Sequence, residues 1–181
     1  MRGSSAVEAV IVTPLVMAML FGIIELGFLF KDYLAVAGAV RAGVRIASAN
    51  PRLSTFAQVA ADRVAATGGA ANFNDVQQMW VYKAAAATDK PIGFSSFADC
   101  TVCVKFRWDG ATRAFVPIAG SNNWASTSQN ACSSIGGPPD RIGIYLQLKH
   151  DAFTNLVFNT VNISEASVLT FEPMPVVTGC K

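Results

Sequence analysis

AVIVTPLVMAMLFGIIELGFLF, from Ala9 to Phe30, decides how the rest of the chain must be read. Its only charge is Glu25, and as a helix it measures about 33 Å, enough to cross the hydrocarbon core of a bilayer. The same stretch inside a soluble protein would need apolar cover on every side. A cleaved secretory signal is the competing reading, since Ala35-Val36-Ala37 and Ala47-Ser48-Ala49 have the small-x-small form of a signal-peptidase site. The apolar core of such signals runs to about 7–15 residues, however, and this one is longer and continues past Lys31 in helix-favouring residues.

The flanks set the expected orientation. Arg2 and the amino terminus are positive before the span, while Lys31 and Asp32 cancel after it, so the amino terminus belongs in the cytoplasm and the bulk of the chain outside. All four cysteines, Cys100, Cys103, Cys132 and Cys180, lie beyond the span, where an oxidising compartment favours disulfides. With 181 residues the chain holds one core plus an appendage.

Several function classes drop out. A net charge of +2 with scattered Lys and Arg gives no footprint for nucleic acid. No phosphate-cradling glycine loop, His-Glu-x-x-His or Gly-x-Ser-x-Gly is present, so no catalytic residues, cofactor or metal are expected. The one histidine, His150, reads as a structural residue at a strand end. Cys100-x-x-Cys103 with two further thiols leaves zinc as a minor alternative, against which stands the absence of a second such pair.

Gly3-Ser4-Ser5-Ala6-Val7-Glu8 matches the type IV prepilin pattern, a glycine before a cleavage point and a glutamate at the fifth mature position. The stretch from Arg2 to Ser48, with Pro14 in the span, Gly-Ile-Ile-Glu-Leu-Gly at Gly22 to Gly27 and Ala-Val-Arg-Ala-Gly-Val-Arg at Ala39 to Arg45, resembles the opening of the TadE-like family of minor pilins and pseudopilins. The resemblance implies cutting after Gly3 by a prepilin peptidase, a single-pass location in the bacterial inner membrane, and work with other pilin subunits, a secretion ATPase and a membrane platform to build a Tad (Flp) pilus. It makes residues 1–3 a short leader, 4–49 the transmembrane and extended helix, and 50–181 an extracytoplasmic domain. An anchored binding module or adhesin, using the long loop from Ala119 to Asp140, is the alternative function.

Physical chemistry gives these positions roles. An ionised side chain within a membrane helix costs at least about 2.5 kcal/mol and marks a function or partner. Cutting after Gly3 would expose an amine on Ser4, one helical turn from Glu8; Glu8 then either pairs with such an amine or simply rests at headgroup level. Pro14 lacks an amide hydrogen and is expected to loosen or bend the helix. Glu25, near the outer end, is expected to reach water or a neighbouring helix.

Past the span the helix should continue to Ala49, with Val36, Val40 and Val44 on one stripe and Arg41 and Arg45 on another, ending at Asn50-Pro51. Thr55 to Gln58 has capping-box form and opens a second helix closed by Gly68-Gly69, with Val59 and Val64 facing the core. Strands are expected at Val76 to Lys83, Thr101 to Trp108, Ile142 to Lys149 and Ser167 to Glu172, which makes an α+β fold with an antiparallel sheet packed on helices. If Cys100 lies in the second strand, it and Cys103 point to opposite faces, so each is expected to pair with Cys132 or Cys180. Cys132 should also tether the loop from Ala119 to Asp140.

Overall fold

Two helices lie on one face of a five-stranded sheet. The computed structural model describes residues 4–85, 88–92, 100–132, 137–154 and 158–174, with side chains from Val7 onward. Helix α1 (Ser4–Ser48) and α2 (Phe56–Thr67) are followed by β1 (Val76–Ala84), β2 (Cys103–Asp109), β3 (Ala114–Pro117), β4 (Arg141–Asp151) and β5 (Thr160–Thr170). The sheet is antiparallel throughout, in the order β3-β2-β1-β4-β5. This is the expected α+β fold.

Helix α1 changes character along its length. From Ala9 to Ile24 it is apolar on all sides, and it runs unbroken through Pro14. In its second half Glu25, Asp32, Val36, Ala39, Val40, Gly43, Val44 and Ala47 are buried, a stripe of 3.6-residue period that faces the sheet and α2. Helix α2 contributes Phe56, Ala57, Ala60, Ala61 and Val64, mostly small side chains, so the two helices approach closely.

Gly43 sits at that approach. A Cβ there would fall 2.5 Å from Val64 Cγ2, 2.9 Å from Ile144 Cδ1 and 3.1 Å from the Ala60 carbonyl oxygen. Gly38, five residues earlier, has nothing within 4 Å of the same position. Gly43→Ala should therefore destabilise by about 1–3 kcal/mol through overpacking, while Gly38→Ala should stabilise by about 0.4–1 kcal/mol. Opposite shifts of the thermal midpoint in detergent check the pair.

On the sheet, Met79, Val81, Val104, Phe106, Ile142, Ile144, Leu146 and Leu148 point inward in strict alternation. The reverse face carries a smaller cluster of Trp80, Tyr82, Ala84, Cys100 and Cys103. Lys105 Nζ lies 4.6 Å from the centre of the Trp80 ring. The Tyr82 hydroxyl donates to the Asp89 carbonyl at 2.8 Å, and burial, then the charge of Asp89, holds its phenol well above the ordinary range.

Several expectations are corrected. Cys100 and Cys103 form a disulfide with each other, Cα atoms 6.1 Å apart. Strand β2 begins only at Cys103, and a bend at Thr101 and Val102 separates it from Cys100, so strand alternation does not apply between the two cysteines. The bond also removes both thiols from a zinc reading. Cys132 is disulfide-bonded as well, and Cys180 lies outside the described residues.

Thr55 makes no side-chain cap on α2. Gln58 donates instead to Asp62 Oδ1 at 2.8 Å and to the Phe115 carbonyl at 3.0 Å, which keeps it from folding back on the helix start. Val59 is half-buried, while Val64 is fully in the core. Strand β3 was not anticipated. Strand β5 starts seven residues earlier than expected and ends two residues sooner, paired in full with β4 from Asp151↔Thr160 to Arg141↔Thr170.

The long connection after β3 is tethered by more than Cys132. Trp124 is buried between Phe56, with ring centres 5.2 Å apart and edge to face, and Phe171, at 5.8 Å. Cys132 bridges to Met174. Beyond β5 the Glu172 amide donates to the Ser48 carbonyl at 2.9 Å, satisfying one of the orphan acceptors at the end of α1.

Candidate membrane-anchoring site

Every described side chain from Val7 to Phe21 is exposed, and of the next three residues only Gly22 is half-covered. In water such a surface has no counterpart among soluble folds, because an all-apolar helix must be buried in protein or lipid. From Val7 to Ile24 it measures about 27 Å, close to the roughly 30 Å of bilayer hydrocarbon. The helix is long and apolar enough to cross a membrane.

Charged groups mark its two ends. Glu8 is exposed at the amino-terminal end, one turn after Ser4 along continuous helix. Gly3, the residue before the expected cut, lies outside the described residues. Pro14 is exposed within the span.

At the carboxy-terminal end of the bare segment Glu25 departs from expectation. It is 1% exposed, and its Oε2 accepts a hydrogen bond from the Thr154 hydroxyl in the turn after β4. The partner is thus this chain's own hairpin, not water or a neighbouring helix. Two turns along, Asp32 Oδ2 accepts from His150 Nδ1 at 2.7 Å with both groups buried, and Lys31 Nζ approaches Asp32 Oδ1 at 3.1 Å. A carboxylate has no proton to give, which assigns the Nδ1 proton to the imidazole. His150 lies at the end of β4, as expected, and Asp32 is the partner that sequence reasoning did not name.

The geometry makes α1 antiparallel to β4, with Glu25 beside Thr154, Asp32 beside His150 and Gly43 beside Ile144. A cleft of about 620 Å³ opens between them, lined by Glu25, Lys31, Asp32, Lys149, His150 and Phe153 among others. On the other flank of α1 an apolar groove of about 640 Å³ runs along β5, lined by Leu26, Leu29, Phe30, Tyr33, Val161 and Ile163. The Tyr33 phenol is raised above its ordinary range by its hydrogen bond to Glu165 and by that carboxylate's charge. Among the described residues no group of three or more His, Cys, Asp or Glu side chains is placed to hold a metal ion.

Comparison with known families adds one finding. Residues 3–45 match the TadE-like protein family. The TadE-like segment therefore covers the exposed half of α1 together with most of the half that packs on the sheet, and it includes Glu8, Pro14, Glu25 and Asp32. No curated protein and no solved structure matches the chain.

Proposed function

We propose that the chain is a minor pilin or pseudopilin acting in assembly of a bacterial Tad (Flp) pilus, held by α1 in the inner membrane with the sheet outside. The observation that carries this reading is the TadE-like segment itself: a helix bare of protein cover for about 27 Å, with an acidic residue one turn from the expected mature amino terminus. Its partners on this reading are other pilin subunits, the prepilin peptidase, the assembly platform and membrane lipid. Gly3 and Ser4 would flank the cut, and Glu8 would meet the new amine within or between subunits.

Two measurements on cells that carry the pilus machinery test it. Intact mass of the membrane-extracted protein should show loss of Met1 to Gly3; a full-length chain, or a cut near Ala37 or Ala49, removes the proposal. Glu8→Leu should leave the amount of membrane-bound protein unchanged while abolishing pili, because the substitution adds apolar surface to the span and deletes only the carboxylate. The adhesin alternative gains no support from its loop, whose Trp124 is turned into the core.

A further inference from the structure

We propose that Ala152 to Thr154, the described start of the β4–β5 turn and referred to as its tip, form a second membrane contact, seating Phe153 in the outer leaflet beside α1. The inference rests on the reading of α1 as a membrane-spanning helix.

Phe153 is 80% exposed, more than any of the large apolar side chains displayed by α1, where Val10 reaches 71%. A lone exposed aromatic needs no explanation by itself. Its height along the helix is what distinguishes it. The adjacent Thr154 is hydrogen-bonded to Glu25, so the tip is pinned at the first residue after the bare segment Val7 to Ile24. If the bilayer covers only that segment, its outer boundary falls at the tip. If it covers Ala9 to Phe30, as the exposed Leu26, Phe28 and Phe30 favour, the boundary lies about 8 Å beyond the tip. Either placement puts Phe153 at or inside the edge of the hydrocarbon.

The charges are arranged to match. Ala152, Phe153 and Thr154 carry none, while Lys31 and Lys149 stand on the domain side, partly exposed, with their ammonium groups 3.1 Å from Asp32 and 2.8 Å from Asp151. The arrangement also accounts for Glu25. Its carboxyl is removed from lipid by protein, and the hairpin tip supplies the cover together with a hydroxyl donor.

The test uses full-length protein in phosphatidylcholine–phosphatidylglycerol vesicles that contain acyl chains brominated near the headgroup or near the methyl end. Phe153→Trp and, as a mid-span control, Leu15→Trp are compared with the unsubstituted protein to subtract Trp80, Trp108 and Trp124. Both positions are exposed, so neither substitution disturbs packing. The added emission at 153 should be lost to shallow bromines, persist with deep ones and resist aqueous acrylamide. Quenching by acrylamide but not by bromine would place the tip in water and overturn the inference. Resistance to both would mean protein cover, such as a second copy, and would overturn it equally. Leu15→Trp should be quenched by deep bromines; failure of that control defeats the membrane-spanning reading itself, whereas its success with no lipid quenching at 153 defeats only the inference.

Discussion

His150→Ala should lower the stability of the folded domain by about 3–5 kcal/mol, the cost of leaving a buried carboxylate without its partner. Asp32 is 8% exposed, and once the imidazole is gone its neighbour is Lys31, a half-exposed side chain that must hold a long rotamer to reach it. The converse substitution should be milder. Asp32→Ala leaves an imidazole, a side chain that, unlike a carboxylate, has an uncharged form readily available and so costs less to bury unpaired. The asymmetry is the diagnostic result: chemical denaturation in detergent should rank His150→Ala well below Asp32→Ala, and equal losses would mean that the pair matters only as packing. Replacing both residues by leucine should recover much of the loss, since a well-packed apolar pair often equals a buried ion pair. Added salt should change little, because screening acts weakly on buried charges.

Trp124→Ala should cost about 3–5 kcal/mol, the range for deleting a buried large aromatic side chain. The ring joins three chain segments that are far apart in sequence: the start of α2 through Phe56, the end of the sheet through Phe171, and its own loop. Its removal opens a cavity and frees the loop together, so the near-ultraviolet circular dichroism of the aromatic cluster should collapse before helix content changes. Trp124→Phe should be far gentler. The indole Nε1 is buried with no hydrogen-bond partner among the described residues, so phenylalanine forfeits volume but also relieves an unpaired donor. A severe loss in Trp124→Phe would show that the indole N–H is satisfied in solution and would refute this account.

The elements that could be read from sequence are those with a long, one-sided pattern. Helix α1 announces itself because 22 residues lack any charge but Glu25, and β4 because Ile142, Ile144, Leu146 and Leu148 alternate without a break. The same two patterns, carried one step further, would have joined Asp32 to His150. His150 is the next inward position of β4, and Asp32 follows Glu25 by seven residues on the buried stripe of α1. What failed was local. Strand β3 has four residues, too few to show a period, and most of β5 is an edge whose outer side is polar, so its inward Ile163 is isolated among Asn162, Ser164 and Glu165. The pairing of Cys100 with Cys103 turned on where a strand begins, and element boundaries are the least determined part of any pattern. Trp124 stands in a stretch of Gly, Ser and Asn with no periodicity, so only the folded contacts reveal it as core.

The union of α1 with the sheet has a mechanical consequence. Ties occur at both extremities of the seam, Glu25 to Thr154 where the helix leaves its bare segment and Ser48 to Glu172 where it stops, with Asp32 to His150 and the Gly43 approach between them. A tensile load entering from the lipid end is thus shared in shear along the seam, and detachment requires many contacts to rupture at once instead of peeling in turn. Resistance to such pulling is a matter of the unfolding barrier, not of equilibrium stability alone.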